Sequence, residues 1–299
     1  MGSLNVIPAK TSSPALYPGI EQPCFVSSRG PVGCGTSPVS GQLRCSSCGP
    51  EARKQRGAVQ PISSTEWEQI GDQIHVWHAR LDREENVLRR LEATLSPEEK
   101  ARADRFHFAN DRNRFVVARG LLRELLGKYL HEAPGGLEFS YGQHGKPFLS
   151  GKDTSSGLCF NVSHSTGLAA YAIARNRTLG IDVERVRPES ASDDIAKRYF
   201  SAREVNDLRT LPPETRVEGF FHCWTRKEAY LKATGMGLQI PLDSFSVSLL
   251  PEKPAQFLGG VEPHWHMAAF HPAEGYVAAV VYDGAPGSIK CLAVDPQLK

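Results

Sequence analysis

Two segments, GLAAYAIAR (167–175) and YVAAVVYD (276–283), read as strands and look like counterparts of one another in the two halves of the chain. Each half surrounds its copy with helix patterns and further strands, which predicts an α+β fold made of two similar subdomains. In the first half IHVWHARL (74–81) is a strand pattern and DREENVLRRLEATL is a helix pattern. Ser96, Pro97 and Glu99 then open a second helix as N-cap, first helical residue and capping-box partner. In the long run DRNRFVVARGLLRELLGKYL, Phe115, Ala118, Leu122, Leu125 and Leu126 recur at helical spacing as a core-facing stripe. Strands follow at LEFSY, FNVSHS, GLAAYAIAR and LGIDVE.

In the second half Ser201 and Glu204 form another capping box, and a helix runs from about Glu214 to Thr234 and stops at Gly235. Strands at SFSVSLL, HMAAFH, YVAAVVYD and IKCLAV complete the pattern. The organisation expected is a leader over 1–62, a first half over 63–177 and a second over 178–299.

The leader is rich in Ser, Pro and Gly, carries only two acids, Glu21 and Glu51, and shows no periodicity. Disorder is expected there. An acid-poor, Ser-rich leader also resembles an organelle transit peptide; an unstructured extension and an over-early start codon are the other readings. Cys24, Cys34, Cys45 and Cys48 lie in it, and Cys159, Cys223 and Cys291 are scattered singly, so no disulfide framework is indicated. The CxxC at Cys45 and Cys48 lacks the second pair of a zinc site.

With 299 residues, 40% of them apolar, the chain can bury a substantial core. Its net charge of +2 gives no ground for nonspecific nucleic-acid binding or membrane-surface attraction. Without a membrane-length apolar run or a secretory signal, a cytoplasmic location is expected.

The chemistry concentrates in LGIDVERV (179–186), where Asp182 and Glu184 sit two residues apart and therefore project from one face of the strand. On the later helix FFHCWTRKEAYLKATG, Phe220, Cys223, Trp224 and Leu231 form an apolar face, while Thr225, Glu228 and Lys232 share a neighbouring polar stripe. Alone, Glu228 and Lys232 would be a surface ion pair of about 0.3 to 0.5 kcal/mol. Two acids on a strand near a third on a helix would instead make the hard oxygen set that suits Mg²⁺. GKPFL (145–149) puts Lys146 on a turn that could hold its ammonium near a phosphate, and FNVSHS (160–165) places Ser163 and His164 at a strand end. His264 and His266, flanking Trp265, read as structural. There is no GxSxG, no Walker A loop, and GMG (235–237) is too short for a dinucleotide fingerprint.

The order GKPFL, FNVSHS, LGIDVE and FHCWTRKEAYLKATGMGL resembles the 4'-phosphopantetheinyl transferases of the large, two-halved surfactin-synthetase type. That family carries a (V/I)G(I/V)D(I/V)E strand followed by a W(S/T)xKExxxK helix, and the similarity spans roughly residues 72 to 295. Thr225 stands where serine is common. The resemblance implies two halves related by a pseudo-twofold with the active site at their interface, and transfer of the phosphopantetheine arm of coenzyme A to a serine of an apo carrier protein (acyl, peptidyl or aryl), with release of adenosine 3',5'-bisphosphate. It further implies that Asp182, Glu184 and Glu228 hold Mg²⁺ against the pyrophosphate, with Glu228 as general base and Lys232 balancing phosphate charge. Gly145, Lys146, Pro147, Ser163, His164 and Lys227 would attend the coenzyme A phosphates, and Lys100, Arg102 and Arg114 the 3'-phosphate. A noncatalytic coenzyme A or carrier-protein binding module on the same scaffold is the alternative, which loss of a metal ligand would signal; all three acids are present.

Overall fold

The computed structural model describes residues 70–250 and 253–294; the leader expected over 1–62, with its CxxC, lies outside the described residues. The first half runs β1 (Ile74–Arg80), α1 (Glu85–Glu92), α2 (Pro97–Ala103), α3 (Ala109–Leu130), β2 (Phe139–Tyr141), β3 (Pro147–Leu149), β4 (Leu158–Ser165) and β5 (Leu168–Arg175). Then come β6 (Leu179–Arg185), α4 (Asp193–Tyr199), α5 (Ala202–Thr210), α6 (Pro213–Thr234), β7 (Ser246–Val247), β8 (Phe257–Gly259), β9 (Trp265–Phe270), β10 (Tyr276–Asp283) and β11 (Ile289–Ala293).

Both capping boxes form. The Ser96 hydroxyl accepts the Glu99 amide while the Glu99 carboxylate accepts the Ser96 amide, and Ser201 and Glu204 repeat the pattern at α5. The α6 helix stops where Gly235 takes φ 69°, the left-handed turn that frees a glycine from Cβ strain.

Strands order as β11-β1-β5-β4 in a first sheet and β6-β10-β9 in a second, beside two small pairs, β2-β3 and β7-β8. All pairings are antiparallel except β1 with β11, so the last strand crosses back to complete the first sheet. The central strands β5 and β10 are buried along seven of their eight residues, because both faces of each are covered. On β5, Ala169, Tyr171 and Ile173 pack under α3, while Leu168, Ala170, Ala172 and Ala174 face the second sheet. On β10, Val277, Ala279 and Val281 pack under α6, while Tyr276, Ala278 and Val280 face the first sheet. The result is an α+β stack of four layers, helix, sheet, sheet and helix. Each fully buried Val, Leu or Ile in it contributes about 1.5–3 kcal/mol.

Where edge strands β4 and β6 approach, side chains replace a backbone ladder. The Ile181 amide donates to Asn161 Oδ1 (2.8 Å), the Val183 amide to Ser163 Oγ (3.3 Å) and the Arg185 amide to Ser165 Oγ (3.2 Å). These three β4 residues alternate along one face of the strand, as period two requires.

Some segments differ from expectation. SFSVSLL keeps regular pairing only at Ser246 and Val247, next to a register shift. Beyond the Gly145 turn, GKPFL enters a short strand, and α4 was not legible in advance. Thr225 is buried, its hydroxyl donating to the Phe221 carbonyl one turn back, so it lies inside rather than on a polar flank.

Candidate active site

The glycine of LGIDVE explains how strand and helix come together. A Cβ on Gly180 would stand 2.2 Å from the Ala229 carbonyl oxygen and 2.2 Å from the Ala233 amide nitrogen. Only a residue without a side chain lets the backbone of α6 lie against β6 at this depth. Asp182 and Glu184, on the same face of the strand as Gly180, are thereby set beside the last turns of α6.

Asp182 is 3% exposed. Its Oδ1 accepts from Lys232 Nζ at 2.6 Å and from Ser163 Oγ at 2.9 Å, and Lys232 Nζ also lies 2.9 Å from Ser163 Oγ. Lys232 thus pairs with an acid of the strand. Asp182 Oδ2 is buried and finds no hydrogen-bond partner among the described residues. Glu184 Oε2 accepts from Ser165 Oγ at 2.6 Å.

Burial first, and then the charge of Asp182, push both Glu184 and Glu228 up to about 7. Burial opposes the Lys232 ammonium, but Asp182, Glu228 and Glu184 outweigh it and raise its pKa. Three acids facing one ammonium leave an excess of negative charge in a poorly solvated place. Such a site favours a cation, and a set made of carboxylate oxygens suits Mg²⁺. The acids are not packed to contact: among the described residues, the trio of side chains whose ligand atoms all lie within 4.8 Å of one another is Glu218, His222 and His271.

The remaining expected residues divide. Ser163, 2.9 Å from both Lys232 Nζ and Asp182 Oδ1, belongs to the cluster; His164, next along β4, is exposed on the opposite face. Lys146 Nζ donates to the carbonyls of Leu179 (2.8 Å), Lys232 (2.8 Å) and Ala233 (3.2 Å), tying the C-terminal end of α6 to the start of β6. Gly145 supplies the left-handed turn (φ 70°) that precedes it, and Pro147 begins β3. Lys227 is not brought to the cluster: 1% exposed, it pairs with Glu204 (2.8 Å) and donates to the carbonyls of Leu242 and Phe245. Arg114 forms a two-pronged pair with Asp82, Nε to Oδ1 at 2.7 Å and Nη2 to Oδ2 at 3.1 Å, beside the β4–β5 turn at Gly167. On α2, Lys100 is exposed and the Arg102 guanidinium lies over the Phe115 ring.

Ser165 and Asn161 were not singled out by sequence reasoning. Their signal was the period-two alternation of Asn161, Ser163 and Ser165, three small polar side chains on one face of a strand. Tyr276, whose hydroxyl donates to the Thr166 carbonyl (2.5 Å), was also missed, since nothing local marks a tyrosine that holds a turn 110 residues away. His266 is structural as expected, its Nε2 lying 2.9 Å from the Gly284 carbonyl.

Family models described as "4'-phosphopantetheinyl transferase, N-terminal" and "4'-phosphopantetheinyl transferase superfamily" match residues 77–176 and 178–281. The 4'-phosphopantetheinyl transferase HetI of Nostoc sp. is 44% identical over 215 residues, covering 72% of this chain and 90% of that protein. The 4'-phosphopantetheinyl transferase Sfp of Bacillus subtilis is 34% identical over 169 residues, covering 56% of this chain and 72% of its own. Among solved structures, a holo-(acyl-carrier-protein) synthase from Bacillus anthracis, in complex with CoA (3',5'-ADP), matches with a TM-score of 0.33 and 22% identity, covering 36% of this chain and 96% of that one.

Proposed function

The chain belongs to the 4'-phosphopantetheinyl transferase superfamily and is an enzyme of that activity, and from this premise we propose how its own residues perform the transfer. Asp182, Glu184 and Glu228 would hold Mg²⁺; the observation that carries this reading is the buried, unpartnered Asp182 Oδ2 flanked by two acids whose protons are held up to about 7. The ion would supply charge neutralisation for the pyrophosphate of coenzyme A.

The carrier-protein serine then attacks the β-phosphorus. Its oxygen forms the new P–O bond, the bond to the bridging oxygen breaks, and the electron pair leaves with adenosine 3',5'-bisphosphate. Glu228 takes the serine proton, directly or through a water. Lys232, fixed against Asp182 and Ser163, places a positive charge where phosphate charge develops. Ser163 and Ser165 hold the two strand acids in orientation from the other half of the molecule. Contact of Lys146 with a phosphate would require one of its three carbonyl bonds to be given up, so its first role in the proposal is to hold α6 and β6 together. Arg114, Lys100 and Arg102 are the proposed 3'-phosphate cations, with His164, exposed beside Ser163, also proposed for phosphate contact. No helix among the described residues is long and apolar enough to cross a membrane, and the proposal is of an enzyme acting as a monomer in the cytoplasm.

Mass spectrometry of apo acyl, peptidyl and aryl carrier proteins, incubated with coenzyme A and Mg²⁺, tests the reading. Gain of the phosphopantetheine mass with the native chain is expected. Asp182→Ala, Glu184→Ala and Glu228→Ala should each lose it while keeping the native circular dichroism, and chelation of divalent ions should abolish it. Transfer retained by Glu228→Ala would overturn the assignment of roles.

A further inference from the structure

A second cluster of metal-ligating side chains lies on the same helix but far from the acids. Glu218 and His222 are one turn apart on α6, and His271 is the first residue beyond β9, in the turn to β10. His271 Nε2 lies 2.9 Å from Glu218 Oε1, and His222 Nε2 lies 3.6 Å from the same oxygen. The rings of His222 and His271 meet edge to face with centroids 5.4 Å apart, and one ligand atom from each of the three residues falls within 4.8 Å of the others. Metal bonds of about 2.0–2.1 Å at tetrahedral angles separate neighbouring donors by about 3.3 Å, so the two measured separations straddle what a four-coordinate ion requires. From Glu218 to Glu228 the helix advances by about 15 Å, which makes this a separate site.

We propose that Glu218, His222 and His271 bind a divalent transition-metal ion of the Zn²⁺ class, joining α6 to the β9–β10 turn. Two imidazoles and one carboxylate are a donor set that zinc accepts with a fourth place left for water, whereas Mg²⁺ is served by oxygen ligands. The half-exposed His271 leaves a path to solvent, while His222 is anchored inside with 6% of its side chain exposed. His222 Nδ1 is buried without a partner among the described residues, so the ring meets the cluster through Nε2, the nitrogen that faces Glu218. The ion would staple together the elements behind the catalytic acids, since α6 carries Glu228 and Lys232 and β10 pairs in register with Asp182 and Glu184.

The test uses the full chain, freed of metal by chelation and titrated with Zn²⁺ by calorimetry in excess Mg²⁺, beside His271→Ala and Glu218→Gln. The native chain should bind one equivalent more than either variant, because any zinc taken by the cysteines persists in all three. Zn²⁺ should also raise the melting temperature of the native chain and leave that of His271→Ala unmoved. The half-exposed position of His271 makes loss of fold a poor explanation, and circular dichroism checks it. Equal stoichiometry and equal thermal shifts in native chain and variants would overturn the site. Phosphopantetheine transfer is not the readout, so this result and that of the proposed mechanism stand or fall separately.

Discussion

Asp182 shows how one side chain can serve both fold and chemistry. Its Oδ1 is committed to Ser163 and Lys232, while its Oδ2 is buried and unpartnered. A buried acceptor left without a partner costs about 1–3 kcal/mol, and more where the group is charged. That cost, together with the pKa values of Glu184 and Glu228 near 7, gives the metal-free protein a distinctive response to pH. In the unfolded chain both glutamates ionise near 4.3. Below that value they are protonated in either state and their contribution to stability is fully present. As pH rises from about 4.5 to about 7, the unfolded chain releases protons that the folded chain still binds, so stability falls across that window. Thermal melts of metal-free protein should therefore shift downward between these pH values, and saturating Mg²⁺ should remove the decline. A metal-free melting temperature that is flat or rising over the same range would contradict the electrostatic picture of the site.

At the scale of elements, the contact between β6 and α6 depends on Gly180. Alanine there would force its Cβ to within 2.2 Å of two backbone atoms of the helix, and backbone cannot step aside as a flexible side chain can. Gly180→Ala should destabilise by about 3 kcal/mol, at the upper end of what overpacking costs. It should also reduce transfer far more than that loss explains, because Glu228 and Lys232 ride on the displaced helix. Denaturant unfolding and the transfer assay check the two effects, and near-native values in both would show that the helix does not rest on this glycine. The same elements show what was legible in the chain. Periodicity and caps placed α2, α3, α5 and α6, because Ser96 with Glu99 and Ser201 with Glu204 are local signals acting over three residues. Alternation placed Asp182 and Glu184 on one face, and the motif order tied them to Glu228. What local pattern could not show was direction within the fold. Lys227 and Lys232, five residues apart, stand about 140° apart around the helix, but only the fold shows that the first is sealed in an ion pair with Glu204 while the second reaches Asp182. Lys146, placed on a turn by its flanking Gly and Pro, spends its donors on carbonyls that only the folded chain brings near.

For the whole molecule the question is whether the halves, 63–177 and 178–299, can stand alone. The first sheet is completed by β11, which belongs to the second segment and pairs in parallel with β1 from Ile74 to His78. Between the sheets lies a shared core in which Val76, Ala170 and Ala172 from one side meet Ile181, Val183, Ala278 and Val280 from the other. Separated, each half would expose that face to water, and the first would also present the unpaired edge of β1, a combination that promotes aggregation. The site is divided in the same way, since Ser163 and Ser165 come from β4 while the groups they orient come from β6 and α6. Residues 63–177 expressed alone should therefore be insoluble or molten, with no cooperative thermal transition, and so should 178–299. Co-expression of the two as separate chains should restore a soluble complex with measurable transfer, because the breakpoint near Arg177 falls in the exposed connection between β5 and β6. A cooperative melt from either fragment alone would show that the shared core is dispensable, and the halves would then be domains in the full sense.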